Sequence, residues 1–426
     1  MKKLLVVAME EGIVEGSEPV SDEELFATSQ GLDETEAIVE DGNDQMDEAL
    51  VSIDRIEELA AIVERKPVDE EVTSTEVAIV EAALENIYDG LGVKRPRGMA
   101  LEEGAGGAAA FLSRVKEQVI RLFYAIADVF KRAYAWLRDL FDKLTDAAGR
   151  YGKRADALKQ QLAKYGDELT AETYQNTGIY KRLSAYHYSL GETYENLVEL
   201  VKDSVKVANG KQVEVLNKLI DDYASANMAD HAAQVKLIEG FPKVLETAYN
   251  GVFSETFEGA EVYNPIKGVT VYSTDLLPAN YVGALWLPDA ADTLEHFDFK
   301  IVQMTLDENG ATIATDPKGT MKVADKKEVT ALLDDTKKIC DAIKAFRSEE
   351  RKLASIPDRL TKSIDKLKKS NDLTISDEQK VFLRTLVKMA PALVRGIHQR
   401  TFPFALRTAD AVMDHCEASM KNYKAK

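Results

Sequence analysis

The whole net charge of this chain sits in its first quarter, and that division limits what either part can fold into. Residues 1–102 hold 27 acidic and 8 basic side chains, a net charge of −19, whereas residues 103–426 hold 46 of each sign and sum to 0. Phe26 and Tyr88 are the only aromatic residues of the acidic part. A segment that repels itself and carries few aromatic groups buries too little apolar surface to offset the entropy of ordering its backbone. Residues 1–102 are therefore expected to form a weakly ordered acidic arm. Two stretches within it have helical spacing and read as short docking helices. One is Asp47 to Arg65, with Leu50, Ile53, Ile56, Leu59, Ala60 and Val63 on one face; the other is Thr75 to Tyr88, with Val77, Val80, Leu84 and Ile87.

The arm ends in Gly90-Leu-Gly-Val-Lys-Arg-Pro-Arg-Gly98, followed by Met99-Ala-Leu-Glu-Glu-Gly-Ala-Gly-Gly107. Glycine, proline and a small basic cluster make a pliable junction that proteases reach. It reads either as a plain linker or as a processing junction.

Beyond the junction the chain is expected to be mainly α, with long amphipathic helices forming a bundle around a small antiparallel β insert. Residues 103–250 read as a helical region. Its most amphipathic stretch is 108–147, where Leu112, Val115, Val119, Leu122, Phe123, Ile126, Val129 and Phe130 recur at helical spacing, with Trp136 on the same broad aromatic face. That face suits partner helices or, alternatively, a membrane surface. Lys153 to Tyr165 reads as a polar helical continuation, and helical patterns resume over Ala171–Ala208 and Lys211–Asn227. Tyrosines 165, 174, 180, 186, 188 and 194 sit among these helices; amphipathic packing is favoured over base stacking.

Residues 251–323 change character and read as the β-rich insert. Val262-Tyr263, Val269–Tyr272, Tyr281–Leu287 and Phe297–Leu306 are rich in β-branched and aromatic residues, punctuated by Pro265, Gly268, Pro278 and Pro288. Asn309-Gly310 suits a tight hairpin turn, and Asp316-Pro-Lys-Gly319 a second turn before Thr320–Val323. Residues 324–426 return to helix. Asp325 and Glu328 make a capping box. Val329, Leu332, Leu333, Ile339, Ile343 and Phe346 form an apolar stripe, and Leu353, Ile356, Leu360, Ile364 and Leu367 a second one around Pro357. Ser376 and Gln379 open a further helix, and Phe404–Tyr423 is the last.

The chemistry of the body is sparse. Nucleotide-binding glycine loops, nucleophile elbows and zinc-protease spacings do not occur. His187, His231, His296, His398 and His415 are scattered, and no metal or other cofactor is expected. Cys340 and Cys416 read as buried thiols. The Asp334-Asp335 and Glu349-Glu350 pairs read as solvated helix surface. Basic clusters at Lys362, Lys366, Lys368 and Lys369, and at Arg395, Arg400 and Arg407, offer at most a local contact to DNA phosphates. No apolar run reaches the roughly 18 residues of a membrane span. The Leu4–Met9 run, closed by Glu10 and Glu11, is too short for a signal peptide. An enzyme is not expected.

An acidic arm joined to a helical body by a glycine-rich junction resembles the internal head proteins of large tailed bacteriophages. These are made with acidic propeptides belonging to the prohead core. A phage-coded prohead protease cuts them after a glutamate that follows a small residue two positions earlier. Ala100-Leu101-Glu102, with Glu103 next, fits that pattern at the point where charge and composition both change. Ala8-Met-Glu10, Gly16-Ser-Glu18, Ser21-Asp-Glu23, Ser74-Thr-Glu76 and Ala83-Leu-Glu85 fit it upstream. Gly166-Asp-Glu168 and Ser376-Asp-Glu378 fit it downstream, where a helix is expected to shield them.

The resemblance implies a virion structural protein of the head interior, made in the host cytoplasm and proteolytically matured during capsid assembly. Its implied partners are other head and capsid proteins and the prohead protease, with packaged DNA a weaker contact and membrane an unlikely one. Two other readings stay open. One is an ejected pilot protein that engages a bilayer through residues 108–144; the other is a cellular helical interaction protein with an acidic regulatory tail.

Overall fold

The computed structural model describes residues 73–90, 107–183, 190–206, 269–288, 298–303, 316–353 and 398–425, together with 358, 361, 362 and 365. The helices read at Asp47–Arg65 and Lys211–Asn227, the strand at Val262-Tyr263, the Asn309-Gly310 turn and the helix opened by Ser376 lie outside the described residues. So does most of the Leu353–Leu367 stripe.

The helix expected late in the arm is present as α1, Ser74–Gly90. Val80, Leu84 and Tyr88 are its buried positions, one turn apart on one face. Two of the small-x-Glu sequences, Ser74-Thr-Glu76 and Ala83-Leu-Glu85, fall within this helix.

Among the described residues the body is a bundle of four long helices: α2 (Gly107–Leu162), α4 (Leu190–Lys206), α5 (Lys326–Leu353) and α6 (His398–Met420). A short helix, α3 (Thr177–Leu183), lies against α6. α2 is one unbroken helix of 56 residues, about 84 Å long at 1.5 Å per residue. It joins the stretch read at 108–147 to the polar continuation read from Lys153, running unbroken through Gly149 and Gly152. A Cβ on Gly152 would lie 3.5 Å from Lys344 Nζ and 3.7 Å from Cys340 Cβ, ordinary contact distances, so α5 packs directly against α2 here. The polar helix read to Tyr165 ends instead at Leu162.

The stripe read on α5 is the core. Val329, Leu332, Leu333, Ile339, Cys340, Ile343 and Phe346 are all buried. They meet Phe141, Leu144, Tyr151 and Ala155 of α2, Tyr194, Leu197 and Val201 of α4, and Phe402, Leu406, Val412 and Cys416 of α6, which are buried likewise. An aromatic cluster closes one end. Phe346 stands 4.9 Å from Phe141, 4.8 Å from His398 and 5.3 Å from Phe402, centroid to centroid, mostly edge to face. The capping box at the start of α5 is reciprocal. The Glu328 amide donates to Asp325 Oδ1 and the Asp325 amide to Glu328 Oε2, each at 2.8 Å.

Among the described residues three small antiparallel sheets decorate the bundle. β3 (Val269–Ser273), β4 (Tyr281–Pro288) and β5 (Asp298–Gln303) form a meander in the order β3-β4-β5, as the β-rich composition implies. β4 seats Tyr281 against Phe404 of α6, and the Asn196 amide of α4 donates to Leu276 O in the connecting turn. The other two sheets depart from expectation. Thr173–Gln175, read as the start of a helix, is strand β2, and it pairs with β6 (Thr320–Lys322), read as part of the insert. β6 supplies the partner strand, and a local cap delays the helix. Asn176 Oδ1 accepts from the Gly178 and Ile179 amides, so it caps α3 and confines that helix to residues after it. β1 (Tyr165–Leu169) pairs with β7 (Tyr423–Ala425) at the far end of the chain.

The turn read at Asp316–Gly319 is built as expected. The Gly319 amide donates to Asp316 O at 3.0 Å, while the Asp316 carboxylate accepts from the Lys318 and Thr320 amides. Those bonds, with the Thr320 side chain first among them, hold the Asp316 carboxyl below its usual range. Gly319 has φ +58°, and a Cβ there would lie 2.6 Å from Thr177 Cα. Gly319→Ala is therefore expected to cost about 3 kcal/mol of unfolding free energy, from left-handed strain plus overpacking. Urea titration of both proteins measures it, and a loss below about 1 kcal/mol would show that the turn does not fix β6.

Candidate functional site

The residues that the sequence nominates as a processing site, Ala100, Leu101, Glu102 and Glu103, lie outside the described residues. The described helices on either side are α1, ending at Gly90, and α2, beginning at Gly107. The nominated bond thus belongs to the connection between an arm helix and the longest helix of the body.

Within the body, the polar groups are engaged in tying helices together. Arg154, on α2 and only 16% exposed, bridges three carboxylates of α6: Asp410 at 2.9 Å, Asp414 at 2.7 Å and Glu417 at 3.3 Å. Arg182, in the last turn of α3, binds the other oxygens of Asp410, at 3.1 Å, and of Asp414. Two aspartates one helical turn apart are thereby clamped between two guanidinium groups. Burial works against the Arg154 charge, yet the Asp414 hydrogen bond and the three carboxylates outweigh it and raise its pKa. Burial, then the neighbouring Asp414, pushes the Asp410 carboxyl up against the pull of both arginines. This network is not legible in the sequence, because its members lie 228 to 263 residues apart on charged faces.

Of the pairs that the sequence assigns to solvent, the side chains of Glu349-Glu350 lie outside those described, and Asp334-Asp335 fares differently. Asp335 is buried and bonds Lys338 at 2.7 Å, while Asp334 pairs with Lys159 of α2. Asp335 is thus a correction: it lies where α5 turns its face toward α4 rather than on the surface. The tyrosines are packing groups, as expected. Tyr194 is fully buried with its hydroxyl 2.8 Å from Thr336 Oγ1, and Tyr174 reaches His415 Nδ1 at 2.7 Å. Tyr186 and Tyr188 lie outside the described residues.

Cys340 and Cys416 are buried free thiols, and burial pushes both up to about 12, so neither is a thiolate at neutral pH. Among the described residues no group of His, Cys, Asp and Glu has the geometry to hold a metal ion. Among them too, no helix is long and apolar enough to cross a membrane.

His415 gives the bundle a pH dependence. Burial holds its imidazole neutral and pushes its pKa down to about 4, against a small upward pull from Glu328. The unfolded chain takes up that proton near pH 6.5. Stability from this group is therefore complete above pH 6.5 and is lost as pH falls toward 4, by about 3 kcal/mol in all. Urea unfolding at pH 7 and pH 4.5 is expected to show most of that loss in the native chain and little of it in His415→Gln. Equal slopes in the two proteins would remove His415 as the cause.

An unbroken 56-residue helix, a core packed around aromatic rings, and ion pairs that join helices define a helical-bundle scaffold. The comparison with known families is specific. Residues 26–418 match the model for phiKZ-like phage internal head proteins, and the chain belongs to that family. It is a structural protein of the phage head interior, where it associates with other head components. Neither a curated protein nor a solved structure matches it.

Proposed function

We propose that the chain is an internal head protein made as a precursor and matured by cleavage after Glu102. A prohead protease is the processing enzyme, and residues 103–426 are the part retained in the head. The single observation that carries this reading is a coincidence of boundaries. The small-x-Glu sequence Ala100-Leu101-Glu102 stands where net charge changes from −19 before it to 0 after it. The family match supports the internal-head-protein part of this reading.

The charge change has a physical use. An arm of −19 repels DNA and other copies of itself, which suits a core assembled in the host cytoplasm before the genome enters. Its removal leaves a body of zero net charge, able to lie beside packaged DNA without a uniform repulsive field.

The test is Glu102→Gln in the infecting phage. That change removes the small-x-Glu sequence, and Glu103 cannot replace it because Leu101 is not small. Protein from the resulting heads is expected to begin upstream of Glu103 and to carry part or all of the arm. Protein that still begins at Glu103 would overturn the assignment of the bond.

A further inference from the structure

The small-x-Glu sequence recurs in the body as Gly166-Asp167-Glu168. Hydrolysis there would add water across the Glu168–Leu169 bond, leaving a carboxylate on Glu168 and an amine on Leu169. It would sever α2 from the described helices that follow it in the bundle. The side chains are on view: that of Asp167 is 91% exposed and that of Glu168 74%. Surface exposure therefore does not protect this sequence.

Its backbone is another matter. The residues are not helical, as the sequence suggested, but form β1, paired antiparallel with the C-terminal strand β7. The Thr170 amide donates to Asn422 O at 2.7 Å, and Thr170 Oγ1 donates to the same oxygen at 2.9 Å. Lys424 binds the Glu168 carboxylate at 2.5 Å, and the Tyr165 and Tyr423 rings meet at 6.1 Å. Lys326, at the start of α5, holds Tyr165 O and the Asp167 carboxylate. A protease takes its substrate as an extended segment several residues long, so β1 must first peel away from all of these.

We infer that β7 is a cover strand: by pairing with β1 it withholds the Gly166-Asp167-Glu168 sequence from cleavage. The inference rests on the proposed processing for the identity of the enzyme, but the shielding is a property of the fold and is tested without it.

The probe is a glutamate-specific endoprotease acting on the native full chain, with cut sites read by mass spectrometry. Cutting at Glu168 is expected to lag far behind cutting in the arm. Two variants open the cover: a chain ending at Lys421, and Lys424→Pro, which keeps the length but breaks the strand. In both, cleavage after Glu168 is expected to rise about tenfold or more relative to cleavage after Glu328 in α5, as a local opening made easier by about 1.4 kcal/mol requires. Rapid cutting at Glu168 in the intact chain would overturn the inference. So would no change in either variant, or an equal rise at Glu168 and Glu328, since β7 would then support the bundle as a whole. Native heads whose protein keeps its arm would instead defeat the processing reading and leave the shield standing.

Discussion

Phe402→Ala is expected to lower the unfolding free energy of the body by about 4 kcal/mol. Phe402 is fully buried at the start of α6, and its ring meets Phe346 of α5 at 5.3 Å and His398 at 5.9 Å. Truncation removes the transfer energy of a benzyl group and leaves a cavity where α2, α5 and α6 converge. Rings on three helices do not collapse into such a space together, so little of the volume is recovered. Phe402→Leu keeps most of the volume and is expected to cost about 1.5 kcal/mol or less. Denaturant titration separates the two. A Phe402→Ala loss no greater than that of Phe402→Leu would mean that the aromatic cluster does not organise that end of the bundle.

Arg154→Leu is expected to cost about 3 kcal/mol, and for a different reason. Leucine restores the apolar contact of the side-chain stem, so the loss is electrostatic. It leaves Asp410 and Asp414 one turn apart with Arg182 alone to neutralise them. Removing one partner of a half-buried cluster leaves uncompensated charge, which costs more than the pair contributed when intact. Adding Asp414→Asn to Arg154→Leu removes the like-charge repulsion and is expected to recover about half of the loss. Arg154→Lys is expected to fall between, since an ammonium group cannot span three carboxylates as a guanidinium fork does. Stability measured across this set tests the clamp. Additive losses from Arg154→Leu and Asp414→Asn would show the two residues to be uncoupled.

What the sequence makes legible is whatever depends on neighbours in the chain. The α5 stripe, from Val329 to Phe346, has strict helical spacing and a capping box before it, and all of it is core. The α1 helix and the meander of β3, β4 and β5 follow from spacing and composition in the same way. What stays illegible depends on distant partners. Thr173–Gln175 is a strand because β6, about 145 residues later, lies beside it, while the tyrosine spacing around it imitates a helix. Tyr165 has the spacing of a helix end, yet it begins β1, because residues 423–425 supply its partner strand. Arg154 is one more charge on a polar helix face until α6 brings Asp410 and Asp414 within reach. Asp335 is buried for the same reason, since its cover comes from another helix.

The proposed processing site is legible in a different sense. Ala100, Leu101, Glu102 and Glu103 are nominated by charge balance and by a short motif, neither of which depends on the fold. That independence makes the central claim open to one direct measurement: the N-terminal mass of this protein taken from mature phage heads. Cleavage after Glu102 predicts a chain that begins at Glu103 and lacks the 27 acidic residues of the arm. A chain that still carries residues 1–102 would contradict it, and the arm would be a permanent part of the head.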